Sequence, residues 1–545
     1  MSRSAPSRPF AGRRRAVVAV ALALWAVCTA TAHAADAQIV SERRVSARVV
    51  ELQVSTPALA APTRVTVDLP AGYDAQPDRR WPVTYFLAGT MNNDRAFNDI
   101  VGGLKLTEGY PSIVVSPDGD NGSYWSDWYN GGAFGAPKFE TYVSDQLIAL
   151  IDRRFRTIAD RSQRVIAGVS MGGYGAVMLA ARHPDRYAAV ASISGVVDNS
   201  LVPTGAVLSI SSTFDGGPVD AIYGPRATQE IRWRGHNPTD LAGNLRDLDL
   251  QVRTADGLPN PGIGEQLLSA DTVSCVVEAG VYAASVSFHR TLVSAGIPHA
   301  WKDYGSGCHT PENFQRQIVD VLRQFQTVLA HPRPVPASFS YSSIEPDFDI
   351  WGWHVAADRR RAAEFLRLDD AGASGLTLTG SGLTTVTSPP SFAGVPRVDL
   401  AGATAGSVVP DPAGRIRFVV DLGPPDAAQQ LTPGATTRRV RRAVSLRPQA
   451  VVVITRSRPT RGHLRVCAHT VGGTVAARLA VTGARRRVLT RGRVVPLGPE
   501  ATCRSLRWTR RLRDARGTLR VTGTDGVGHP VAARRTFRVP AALRR

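Results

Sequence analysis

The chain has 545 residues, 43% hydrophobic and 20% charged; packed cores are feasible and wholesale disorder is excluded. Its net charge of +20 is uneven: residues 436–545 hold 27 Arg, no Lys and three acids, a net +24, so the rest sums to −4. The basic character therefore belongs to the tail, which excludes reading the whole chain as a basic nucleic-acid binder.

Arg13-Arg14-Arg15, the short apolar run 16–27 and Ala32-His33-Ala34 follow the order of a secretory signal, predicted over 1–34. The apolar run is too short to span a bilayer, although an N-terminal anchor is the competing reading. Arg14-Arg15 also suggests twin-arginine export. The expected location is secreted or attached to the cell envelope. Cys28 leaves with the signal. Cys275, Cys308, Cys467 and Cys503 remain, an even count that favours disulfides in an exported chain. Three pairings are possible, and the simplest are local: Cys275 with Cys308, and Cys467 with Cys503.

From 37 to 330, short apolar strands alternate with helical patterns. Strands are predicted at 65–69, 83–87, 113–116, 165–169 and 188–194, and helices at 139–155, 172–181, 276–294 and 312–328. Such alternation means a mostly parallel sheet covered on both faces. His331-Pro332-Arg333-Pro334-Val335-Pro336 cannot continue a helix and predicts a stiff linker. Two small all-β domains are expected after it. A β-sandwich is placed at 338–425, and a basic domain at 440–543 with Gly523-Thr524-Asp525-Gly526 as a late turn. That last segment resembles the end of bacterial immunoglobulin-like modules.

Gly168-Val169-Ser170-Met171-Gly172 is a G-x-S-x-G elbow between a strand and a helix. Its small flanking residues let the turn be sharp enough to expose the Ser170 hydroxyl. A serine needs a base, and the base needs an orienting acid. In an α/β-hydrolase the chain order is Ser, acid, His. His183 ends the elbow's own helix and leaves no room for an acid. His289 falls within a helical pattern. His309 lies in Gly305-Ser306-Gly307-Cys308-His309-Thr310, a loop after the strand predicted at 299–304, where the fold places its base. Asp256, just after a strand at 249–253, is the usual acid position; Glu278, at the start of the next helix, is the alternative. Two backbone N–H groups should form the oxyanion hole. Met171 supplies one, and Thr90, in the turn Leu87-Ala88-Gly89-Thr90-Met91, supplies the other. Tyr124, Trp125, Trp128 and Tyr129 suit either an acyl or glycan site or the core. With no phosphate loop or metal-ligand cluster in view, no cofactor and no metal are expected.

The segment 49–328 resembles the antigen 85 family of mycolyltransferases within the wider esterase D-like group. The resemblance is carried by Tyr85-Phe86-Leu87-Ala88-Gly89, Ser126-Asp127-Trp128-Tyr129, the elbow with Ala180-Ala181-Arg182-His183-Pro184, Ser192-Ile193-Ser194-Gly195-Val196-Val197-Asp198, Asn237-Pro238-Thr239, Val277-Glu278 and Gly307-Cys308-His309-Thr310. It implies a triad of Ser170, Glu278 and His309, replacing Asp256. It also places Asp198 near the substrate; Met91, in the turn after the second strand, and Trp128, of the aromatic cluster, are expected at the substrate as well. Where the family has an Asp and an Arg for its sugar, this chain has Ala88 and Met91; Pro311 replaces a Trp.

The expected function is an exported serine esterase with an acyl-enzyme on Ser170. An acyltransferase to a carbohydrate hydroxyl shares every catalytic residue, and a non-catalytic wall-binding protein is the alternative from another class. Expected partners are an acyl ester or acylated carbohydrate, and anionic cell-wall polymers for the Arg-rich domain. Nucleic acid is not expected, because an exported protein rarely meets it.

Overall fold

The computed structural model describes residues 36–132, 135, 137–266, 272–460, 463–482, 488–507, 516–526 and 528–543; the signal expected at 1–34 lies outside them. Nine strands form one sheet: β1 (Gln38–Arg44), β2 (Val49–Ser55), β3 (Thr63–Asp68), β4 (Val83–Leu87), β5 (Ile113–Pro117), β6 (Arg164–Val169), β7 (Ala189–Ile193), β8 (Asp249–Thr254) and β9 (Ala300–Asp303). Their order is β1-β2-β3-β5-β4-β6-β7-β8-β9. The first three are antiparallel, and β5 through β9 run parallel. The crossovers carry helices that bury both faces, so β4 to β7 are apolar without alternation. Successive residues feed opposite layers: Tyr85 and Ile166 join one core, Phe86 and Ala167 the other. This is the α/β-hydrolase architecture expected from the sequence.

The helix Pro311–Ala330 closes the domain. Thr310 caps it by accepting from the Asn313 N–H, and Pro311 opens its first turn. Phe314, Ile318, Val321, Leu322 and Phe325 form its buried stripe.

Two all-β units follow. The first packs a six-stranded sheet on a four-stranded one around a single apolar core. Val440–Pro448, which the sequence reading grouped with the basic block, pairs with Gly375–Gly380 and Val398–Ala401 inside that six-stranded sheet. Its inward Val444 and Leu446 complete the sandwich core, which explains the placement. The second unit packs three strands against four. Cys467 and Cys503 face each other across one strand pair and are bridged. The segment ending in Asp525 turns into Pro530–Arg538, and Asp525 accepts from the His529 N–H at 2.8 Å.

The first sandwich is docked on the hydrolase domain. Tyr341 donates its hydroxyl to the Arg182 carbonyl at 2.6 Å, and Asn244 bonds both the N–H and the carbonyl of Ser342. The Arg182 guanidinium bridges Glu140 of its own domain and Glu345 of the sandwich.

Candidate functional site

Ser170 stands between β6 and the helix Met171–Arg182 at φ 56°, ψ −118°. A non-glycine residue holds that conformation only where its surroundings enforce it. Gly168 and Gly172 make it possible. A Cβ on Gly168 would meet the Gly172 carbonyl oxygen at 2.3 Å, and one on Gly172 would meet the Leu87 carbonyl oxygen at 2.0 Å. The elbow therefore presses against the end of β4. The turn after β4 lies as close: a Cβ on Gly89 would sit 3.3 Å from Cβ of Ser170. Trp125 holds that turn by donating its indole N–H to the Ala88 carbonyl. Among the described residues, the backbone N–H groups of Thr90 and Met171 have no acceptor.

His309 follows β9 in the loop before the last helix. Its Nδ1 donates to Oε2 of Glu278 at 2.6 Å. Its Nε2 is buried and has no hydrogen-bond partner among the described residues. Both His309 and Ser170 line one cavity. Glu278 lies on the helix Thr272–Ser294 with 0% exposure. Its other oxygen accepts from the Ser194 hydroxyl at 2.7 Å and the Ala255 N–H at 3.0 Å, so both carboxylate oxygens are engaged. Gln317 in turn donates to Ser194 at 2.9 Å. Asp256 does not reach the histidine; its carboxylate accepts from the Leu258 N–H in a local turn.

The base loop is held three ways. Cys275 and Cys308 form a disulfide, one turn of helix before Glu278 and one residue before His309. Glu265, almost fully buried, accepts from the Cys308 N–H at 2.9 Å and the Thr310 hydroxyl at 2.6 Å. Asn313 donates to the Cys308 carbonyl. The sequence reading missed Ser194, Glu265 and Gln317. Ser194 sits at φ 45°, the positive φ its place at the end of β7 demands, but no spacing rule marks the other two.

The cavity has a volume of about 560 Å³ and mostly apolar walls, among them Phe86, Val101, Val196, Val281 and Phe314. Thr90, Ala88 and Pro311 also line it. Three residues expected at substrate are not brought there. Met91, at φ 59°, is 70% exposed with its N–H on the Asn121 carbonyl, outside the cavity wall. Trp128 is buried and donates its indole N–H to the Ser123 carbonyl. Asp198 is buried with its carboxylate filled by Ser200, Asn237 and the Ser287 hydroxyl. All three are structural placements: a turn, a core ring and an internal tie. Of the aromatic cluster, only Tyr124 reaches the cavity.

Residues 56–325 match the family described as Putative esterase. The chain is 32% identical over 297 residues to Esterase Rv1288 of Mycobacterium tuberculosis (strain ATCC 25618 / H37Rv), covering 53% of this chain and 62% of that protein. It thus spans less than two thirds of that relative's length. It is 30% identical over 239 residues to the diacylglycerol acyltransferase/mycolyltransferase Ag85A of Mycobacterium gordonae, covering 42% of this chain and 68% of that one. Among solved structures, Mycobacterium tuberculosis MPT51 is similar over 52% of this chain and 100% of its own, with 20% identity and a TM-score of 0.43. The chain belongs to the putative esterase family, in its antigen 85-like form.

Proposed function

We propose that the protein is an exported, serine-dependent ester hydrolase or acyltransferase. The observation that carries this reading is His309: one nitrogen bonded to a buried carboxylate, the other unpartnered in the cavity that Ser170 lines. In the proposed reaction, Nε2 takes the Ser170 hydroxyl proton as Oγ attacks the acyl carbonyl carbon. Glu278 holds the ring in the tautomer with Nδ1 protonated and stabilises the imidazolium. The N–H groups of Met171 and Thr90 receive the charge on the carbonyl oxygen, and such a donor is typically worth on the order of 100–1000-fold in rate. His309 then returns its proton to the departing alcohol, leaving an acyl group on Ser170. Water or a second alcohol, activated by the same imidazole, removes it.

The apolar walls support an acyl chain as the group transferred. Ala88 and Met91, in place of the acid and arginine of the antigen 85 pattern, favour an acceptor other than that family's sugar. The two disulfides support an extracellular location. The arginines of the last domain, read as immunoglobulin-like, would attract anionic wall polymers. Labelling with a fluorophosphonate probe tests the reading. Wild type is expected to label and Ser170→Ala is not; an unlabelled wild type would favour a non-catalytic wall-binding role.

A further inference from the structure

A second cavity lies at the far end of the elbow helix, between the hydrolase domain and the first sandwich. It has a volume of about 430 Å³, with Lys138, Glu140, Arg186 and His236 on one side and Tyr341 and Phe348 on the other. None of its residues lines the cavity at Ser170. The 12 residues of Met171–Arg182 separate the two sites by about 18 Å along the helix axis. Clefts of this size at domain junctions are frequent ligand sites.

The floor of this cavity holds two hydrogen-bond acceptors that face each other. Glu140 is 5% exposed, and its Oε1 accepts from the Arg182 guanidinium at 2.7 Å and lies 2.8 Å from His183 Nε2. Its Oε2 has no hydrogen-bond partner among the described residues. His236 is 2% exposed, and its Nδ1 donates to the Arg232 carbonyl at 2.8 Å. Burial pushes this imidazole down to about 3, so the ring is neutral and Nε2 keeps a lone pair. That lone pair stands 3.8 Å from Glu140 Oε2. Two buried acceptors so placed are costly unless a bound group brings donors to them.

Unspent donors line the same cavity. Lys138 Nζ makes no hydrogen bond or ion pair among the described residues, and Arg186 Nε is buried without an acceptor. A ligand that answers all of these groups must donate and accept. An ammonium only donates and a carboxylate only accepts, whereas a hydroxyl does both. Vicinal hydroxyls of a sugar ring can donate one to Oε2 and one to Nε2 and still accept from Lys138. Phe348, half-buried and packed on Tyr341 with ring centroids 5.4 Å apart, supplies an apolar wall for the C–H groups of such a ring. Exposed Asp347 and Asp349 also line the cavity and disfavour an anionic ligand.

We infer that this interdomain cavity binds a neutral saccharide through Glu140, His236 and Lys138. The site needs both domains, which gives the docking of the sandwich a use beyond stability. It is independent of the ester chemistry proposed above and stands whether or not Ser170 is a nucleophile.

Calorimetric titration of the full chain with glucose, cellobiose, maltose and N,N′-diacetylchitobiose tests the inference, with glucose 6-phosphate as the anionic comparison. At least one neutral sugar is expected to bind at a single site with a millimolar or tighter Kd, and glucose 6-phosphate to give no saturable heat. Lys138→Ala and Glu140→Gln should each weaken that binding about tenfold or more. The second change sets an amide N–H against the His236 lone pair and so fills the gap without a ligand. Far-UV circular dichroism reports folding; if Glu140→Gln does not fold, Lys138→Ala, which loses no bond within the protein, decides alone. No saturable binding of any neutral sugar, or wild-type affinity in Lys138→Ala, overturns the inference. Saturable binding of glucose 6-phosphate alone overturns it as well.

Discussion

Cys275 and Cys308 are bonded to each other across the two elements that carry the proposed acid and base. The bridge closes a loop with a sequence separation of 33, for which the chain-entropy account gives about 3–4 kcal/mol of stability. The pair Cys275→Ser, Cys308→Ser is expected to lose much of that in chemical denaturation. It should also lower kcat more than it raises KM, because the base loop loses a tether while the cavity walls remain. Full activity with both cysteines replaced would show that Glu265 and Asn313 hold the loop unaided.

Replacing Glu278 with Gln keeps its volume and removes its charge. The imidazole loses its orienting acceptor, and kcat on a soluble ester should fall on the order of 10³–10⁴-fold. Asp256→Asn should stay within about twofold of wild type. The reverse ranking would return the acid's role to Asp256.

Glu265 makes a separable prediction. Glu265→Ala leaves the Cys308 N–H and the Thr310 hydroxyl buried without acceptors, at about 1–3 kcal/mol each. Glu265→Gln retains one acceptor oxygen and should recover part of both stability and kcat. Urea midpoints and steady-state rates on the two variants check this together; equal losses in both would mean that the charge itself is required.

Burial pushes the His236 imidazole down to about 3, and the nearby Arg182 guanidinium acts the same way. In the unfolded chain the group titrates near 6.5. Between those values the unfolded state binds a proton that the folded state refuses. Stability is therefore lost as pH falls from about 6.5 toward 3, at roughly 1.4 kcal/mol per unit. Asp127, raised by burial to about 6, acts with the opposite sign: its contribution is present at low pH and is lost as pH rises through about 6. Comparing wild type with His236→Gln isolates the histidine. Between pH 7.5 and 5, wild type should lose about 2 kcal/mol more than the variant in the hydrolase-domain transition.

The elements that carry the proposed nucleophile and base were legible because they have strong local signals. The elbow glycines, the apolar strand before them and the loop histidine are all marked by pattern. The acid was not: a strand-end aspartate and a helix glutamate both satisfy chain order, and only the resemblance chose Glu278. Asp198 and Trp128 show the converse limit. A motif names a residue but not whether its side chain turns to the cavity or to internal donors. Val202–Ser211 escaped as a helix because its apolar side faces out, so periodicity does not tell it from a loop packed at random. The edge strand β1, QIVSERR, is charged and almost wholly exposed, and gives no alternation to read.

The docking of Tyr341 and Glu345 on Arg182 fixes where the protein can be divided. The proline run at 331–336 looks like a natural cut, and severing there would strip a buried guanidinium of one of its two carboxylates. Ending the chain before Val440 would leave Gly375–Gly380 and Val398–Ala401 without the strand between them. The shortest piece that preserves the elbow helix as it stands here therefore runs through Pro448, well past the proposed catalytic residues, and the helix that follows Ser170 sets that requirement.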